Sequence, residues 1–147
     1  MTAGISTNDR HWCRIQTDEP VKIGTILKAI IVGVRNNGAD REALHERPAE
    51  SARGREIVAW RGIDGLLQLS EARCPHQFVH LASSGTVDGC ELVCTAHFWR
   101  FAANGEGSIR DASGKREQVS ALIVFPTLEL PTEIWGYLPD RFVVINV

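Results

Sequence analysis

The stretch CPHQFVHLASSGTVDGCELVCTAHFWRF, residues 74–101, contains two short segments that each offer one thiol and one imidazole. The first is Cys74-Pro75-His76; after seventeen intervening residues comes Cys94-Thr95-Ala96-His97. Deprotonated cysteine and neutral histidine are good ligands for transition metals. Two kinds of site could use all four: a binuclear [2Fe–2S] centre with two Cys on one iron and two His on the other, or a single tetrahedral zinc ion. Zinc loops usually pair their ligands two to four residues apart in a knuckle and close the site with a helix bearing paired His. Here each segment mixes one Cys with one His, with one residue inside the first pair and two inside the second. The thiolates can then meet at one iron and the imidazoles at the other.

The residues around these ligands carry a resemblance. Cys74-Pro75-His76, Leu81 five residues on, the run CTAHFWRF from Cys94 to Phe101, and Gly105 and Gly107 resemble the Rieske domain of ring-hydroxylating oxygenases and their ferredoxins. The similarity extends more weakly from Trp12 to about Val147. It implies an all-β fold, a Rieske-type antiparallel β-sandwich with a small cluster-binding subdomain formed by two hairpin loops, spanning about 72–102. It also implies one [2Fe–2S] cluster per chain, held by Cys74, His76, Cys94 and His97. Two positions depart from the family pattern: oxygenase-type domains have glycine two residues after the first ligand His and directly after the second, and this chain has Phe78 and Phe98. Glycine lets backbone come close. Two phenylalanines in its place are expected either to thicken the wall over the cluster, to push a loop outward, or to pack into a small core. Trp99 is also Trp in the oxygenase-type pattern, whereas respiratory-type domains have a serine there that donates to the cluster. Its absence implies more charge on the cluster sulfurs and a lower potential.

Composition sets broad limits. With 147 residues, 44% hydrophobic and 23% charged, the chain is long enough for one compact domain with a real core. A net charge of −2 gives no basic field for nucleic acid and no polybasic membrane patch. The first ten residues are polar and no apolar run reaches membrane-spanning length, so the expectation is a cytoplasmic protein without a membrane partner. Respiratory Rieske proteins are membrane-anchored and carry an extra disulfide beside the cluster. Cys13 and Cys90 do not lie where that disulfide would form and are expected to be free, buried thiols.

Moving outward, apolar and β-branched runs alternate with turns. Strands are expected at 12–15, 24–34, 56–61 and 66–69, with Ile63-Asp64-Gly65 as a hairpin turn because Asp-Gly accepts positive φ. The polar run from about 35 to 55 reads as a loop insertion, with a helical turn over 40–45 and His45 in solvent. Between the ligand segments, Ser83-Ser84-Gly85 and Asp88-Gly89 flank a short strand, and another strand covers 91–93. Pro75 and loop composition argue against a helical metal site using His76 and His80, leaving His80 in a solvent-facing or hydrogen-bonding role. Asn104 to Lys115 reads as a connector, followed by strands over 119–130, 135–138 and 142–147. The four tryptophans fall in or beside strands, where core packing is expected.

A [2Fe–2S] centre fully ligated by protein moves single electrons and leaves no position open for substrate. The other histidines, His11, His45 and His80, are scattered, and no Gly-rich dinucleotide fingerprint follows a strand. No catalytic site of its own is therefore expected. The chain reads as a ferredoxin or electron-transfer subunit of an oxygenase-type system. Its donor would be a flavoprotein or ferredoxin reductase and its acceptor a terminal oxygenase or similar enzyme. The alternatives are the Rieske domain of a ring-hydroxylating oxygenase, separate from its catalytic iron domain, and a structural small subunit of a reductase.

Overall fold

Period-two alternation of buried and exposed side chains organises the first strand, β1 (Arg10–Thr17), in which Cys13 and Ile15 point inward. The computed structural model describes residues 10–36, 39–41, 56–139 and 142. After β1 come β2 (Ile26–Asn36), β3 (Ala39–Arg41), β4 (Ile57–Arg61) and β5 (Leu67–Glu71). A single helical turn, α1 (Leu81–Ser84), precedes β6 (Gly85–Asp88), β7 (Glu91–Cys94), β8 (Trp99–Phe101), β9 (Gly107–Arg110) and β10 (Arg116–Val119). The chain then adds β11 (Val124–Phe125), β12 (Thr127–Glu129) and β13 (Ile134–Pro139).

All pairings are antiparallel and form two sheets. The larger runs β11-β5-β4-β2-β1-β13-β12, with β3 beside β2; the smaller runs β10-β9-β8-β7-β6. The larger sheet curls until its two ends meet on one segment. Val124 and Phe125 pair with β5, and three residues later Leu128 pairs with β13, with Pro126 between the two pairings. Proline's missing N–H is tolerated at such a break in the ladder. The all-β, two-sheet architecture agrees with the expected fold class.

Central strand β4 is buried on both faces and so divides the core. Ile57 and Ala59 join Ile15, Ile31, Val34, Leu69 and Leu138 inside the curled sheet. Trp60 points the other way, into a second core with Leu81, Leu92, Phe101, Leu122, Cys74 and Cys94. Each fully buried Leu or Phe of this second core contributes roughly 1.5–3 kcal/mol, and together they seat the small sheet against the large one. Leu122 is fixed there because its N–H reaches Gly105 O at 2.8 Å. Gly105 has φ +91, and a Cβ on it would stand 2.3 Å from Leu122 O, so only glycine allows the approach.

Several local expectations change. Asp40 and Arg41 lie in β3, opposite Arg35 and Val34, so they extend a hairpin instead of starting a helical turn. The remainder of that turn and His45 lie outside the described residues, as does the closing strand over 142–147 except Phe142. The connector 104–115 contains β9, whose backbone pairs with β8 and β10 despite few apolar side chains. Cys13 is buried as expected, but Cys90 is exposed, because it sits beside Gly89 (φ +62) in the turn between β6 and β7. Trp60 and Trp135 are core residues, whereas Trp12 is 37% exposed and lies against Tyr137.

Candidate metal centre

Both ligand segments sit at hairpin tips. In the first, Leu81 N–H donates to Ala72 O (2.7 Å) and Cys74 N–H donates to Val79 O (3.0 Å), placing Arg73 opposite His80. In the second, β7 and β8 pair Cys94 with Trp99. The tips close by the same device. Phe78 N–H donates to Cys74 O at 2.8 Å, and Phe98 N–H donates to Cys94 O at 2.7 Å. The residue completing each turn is left-handed, with φ 59° at Phe78 and 61° at Phe98.

This geometry answers the question the two phenylalanines pose. The backbone keeps a conformation suited to glycine, at a cost of roughly 1–2 kcal/mol for each non-glycine residue, and the rings are turned outward. Phe78 is 52% and Phe98 65% exposed, so neither is a core residue.

The four sulfur and nitrogen side chains converge in two pairs. Cys74 and Cys94 are buried in the same core cluster, close enough that Cys94 acts on the Cys74 thiol. Burial pushes the Cys74 thiol up to about 11; backbone N–H groups of His76 and Gln77 directed at its sulfur oppose this, and the neighbouring Cys94 adds to it. His76 and His97 are both exposed, with ring centroids 4.7 Å apart and planes at 89°. Trp99 stacks on His76 at 4.5 Å and 16°. Among the described residues, no three Cys, His, Asp or Glu side chains are placed to hold one ion. The donors group two plus two, thiols inside and imidazoles outside. That donor set fits a binuclear iron–sulfur cluster, with N–H groups already aimed at a sulfur, better than a tetrahedral zinc ion.

Short side-chain links join the two hairpins. Thr95 donates to Ser84 O through both its N–H (2.7 Å) and its hydroxyl (2.8 Å), tying the second tip to the end of α1. His80 caps the start of α1: its Nδ1 accepts from Ala82 N–H at 3.1 Å, while its Nε2 lies 3.5 Å from Glu56 Oε2. Burial lowers the His80 pKa, in keeping with a neutral ring, and its role is hydrogen bonding as expected. Gly85 follows α1 directly, and a Cβ there would lie 2.4 Å from Leu81 O. Arg73 and Glu56 form an ion pair at 2.7 Å beside the first tip. Sequence reasoning missed Arg73, Glu56 and Thr95, since nothing local marks a partner eleven or seventeen residues away.

The tips themselves, 75–78 and 95–98, contain no Asp, Glu, Lys or Arg. Charge gathers instead on the small sheet. Glu91 accepts from Arg116 at 2.7 and 3.0 Å and from Arg100 at 3.0 Å, and Arg100 also pairs with Asp88. These guanidinium groups, Arg116 foremost, pull the Glu91 pKa down to about 2.

Known proteins resemble this chain most around the same hairpins. It is 44% identical over 54 residues to a cholesterol 7-desaturase of Bombyx mori, covering 37% of this chain and 12% of that protein. It is 30% identical over 95 residues to the oxygenase subunit of 3-chlorobenzoate-3,4-dioxygenase from Comamonas testosteroni, covering 62% and 22%. The chain thus spans less than a quarter of the length of these curated relatives. In structure it resembles the terminal oxygenase of carbazole 1,9a-dioxygenase from Novosphingobium sp. KA1, with a TM-score of 0.58, 17% identity, and coverage of 91% of this chain and 31% of that one. At that identity the likeness shows the fold. No helix among the described residues is long and apolar enough to cross a membrane. The model of the Rieske [2Fe-2S] domain matches residues 39–126, and with it comes a Rieske-type [2Fe–2S] cluster as cofactor. By that match over more than half its length, this chain belongs to the Rieske [2Fe-2S] domain family.

Proposed function

We propose that Cys74 and Cys94 hold one iron of the cluster, that His76 and His97 hold the other, and that the chain is a one-electron carrier in an oxygenase-type system. The observation that carries this is the sorting of donors across two hairpin tips, with the thiol pair buried and the imidazole pair exposed. When bound, the cluster supplies a reversible one-electron couple. The chain's own residues bury its thiolate side, keep its imidazole side at the surface, and flank that side with Phe78 and Phe98. Electron-transfer encounters use small, transient interfaces, and an uncharged tip of this size suits one. The donor in this reading is a flavoprotein or ferredoxin reductase and the acceptor is an oxygenase-type catalytic iron. Coulometric titration of the iron-loaded chain should show reversible uptake of one electron per chain; uptake of none would overturn the proposal.

A second reading is supported by the identity of the relatives, which are an oxygenase subunit and a desaturase several times longer than the matched region. In it, residues 1–147 are the Rieske domain of an oxygenase, and the electron passes to a mononuclear iron elsewhere in the same enzyme. The mass of the native gene product separates the two. A polypeptide near 16.2 kDa supports the carrier. One several times larger, with a third iron, supports the oxygenase.

A further inference from the structure

Arg73 precedes the first ligand Cys, and its side chain spans the entire first tip. Its Nη1 donates to Phe78 O at 3.0 Å, so residue 73 closes a loop over residues 74–78. The other two nitrogens of the fork, Nε and Nη2, donate to Glu56 Oε1 at 2.9 and 2.7 Å. Glu56 is itself fixed, since its backbone O accepts from Ala72 N–H at 2.8 Å and its Oε2 faces His80 Nε2. The carbonyl that Arg73 grips belongs to a residue held at φ 59°, a conformation a phenylalanine leaves readily unless its surroundings impose it. A planar, always-charged fork can bind a carboxylate and a carbonyl at once and hold both in fixed directions.

We propose that Arg73 and Glu56 are positioning residues: together they clasp the first ligand tip, hold Phe78 in its left-handed conformation, and so fix His76 against Trp99 and beside His97. The second tip is secured differently, by the β7–β8 pairing and by the two hydrogen bonds from Thr95 to Ser84. The clasp is therefore specific to the loop carrying Cys74 and His76. This inference rests on the proposal that those two residues are ligands.

The test is a coupling experiment on the full chain, using Arg73→Gln, Arg73→Lys, Glu56→Gln, Phe78→Gly and the double variant Arg73→Gln/Phe78→Gly. Two readouts are taken: the rate at which a chelator strips the cluster, and hydrogen exchange of the residue-78 amide, which bonds to Cys74 O. Arg73→Gln should strip roughly three- to tenfold faster than wild type and exchange that amide faster. Arg73→Lys keeps the charge but not the fork and should fall between. Glycine adopts the left-handed conformation without the clasp, so the double variant should return to within about twofold of Phe78→Gly alone. In the loaded chain, the nitrogen hyperfine coupling of His76 should shift in Arg73→Gln and not in the double variant. Should Arg73→Gln fail to fold, Glu56→Gln serves, with a smaller effect in the same direction that Phe78→Gly also removes. Wild-type stripping and exchange rates in Arg73→Gln would overturn the clasp, and so would a defect equally large with glycine at 78. If the wild-type chain takes up no iron and sulfide, the ligand proposal fails instead, and amide exchange in the metal-free chain still decides the clasp.

Discussion

The indole of Trp99 lies flat on the imidazole of His76, 4.5 Å between centroids and 16° between planes, while His97 meets the same imidazole edge-on. A residue of the second hairpin thereby fixes the ring of the first. Aromatic pairs of this kind contribute about 0.5–1.5 kcal/mol beyond their burial. Trp99→Leu should therefore lower the stability of the loaded protein by about 1 kcal/mol in denaturant melts, with Trp99→Phe recovering part of it. An unchanged midpoint for Trp99→Leu would show that the stack contributes nothing.

Trp99 presents a ring face to this site where a hydroxyl donor would pull charge from the cluster sulfurs, and all four cysteines of the chain are free. Fewer hydrogen bonds to sulfur favour the oxidised state. The potential is expected in the lower part of the Rieske range of about −150 to about +300 mV. Protein-film voltammetry at neutral pH measures it directly, and a value near the upper limit would contradict the argument.

Phe78 and Phe98 extend from the two adjacent tips that bear His76 and His97. Substituting each by Ala keeps the left-handed backbone demand and removes the ring. Both variants should accept electrons from a partner reductase several-fold more slowly, with little change in potential. Stopped-flow reduction at the wild-type rate in both would place the docking surface elsewhere.

How much of this could be read from the sequence follows from the range of the interactions. Strands β1, β4, β5 and β13 show as short apolar and β-branched runs between turns, and the Asp64-Gly65 turn shows in two residues. The two Cys/His hairpin tips show because cysteine and histidine spacing is itself local. The left-handed conformation at Phe78 and Phe98 was not read from the sequence, since no rule of composition places phenylalanine there; the glycines of the family pattern suggested only close backbone approach. The Arg73–Glu56 pair joins residues seventeen apart, at the two ends of the β4–β5 hairpin. Strand β9 was missed because its ladders to β8 and β10 rest on backbone more than on apolar side chains. Cys90 looked like a strand thiol and proved to be a turn residue, as thiols carry no signal of which way a turn will point them.

Glu91 ties the small sheet together electrostatically, and Arg116 and Arg100 hold its folded pKa near 2, below the ordinary value of 4.5. A carboxylate whose pKa falls on folding stabilises the protein above its unfolded pKa, and that stability is lost as pH drops through the folded value. Acid melts should therefore weaken progressively from about pH 4.5 toward about pH 2. Glu91→Gln should be less stable at neutral pH and show a shallower decline over that window. An acid profile identical to wild type would show that the network is solvated and idle.

The central claim is that two thiolates and two imidazoles from paired hairpins share one binuclear cluster. The most direct measurement combines iron and acid-labile sulfide analysis with pulsed EPR of the reduced protein carrying nitrogen-15 histidine. The account predicts about two irons and two sulfides per chain and two strongly coupled imidazole nitrogens. One of these couplings should vanish in His76→Ala and the other in His97→Ala, wherever iron is retained. Cys74→Ser and Cys94→Ser should each abolish the cluster, and Cys13→Ser and Cys90→Ser should leave the spectrum intact. One equivalent of zinc without sulfide, or a cluster whose spectrum shows no histidine nitrogen, would contradict it.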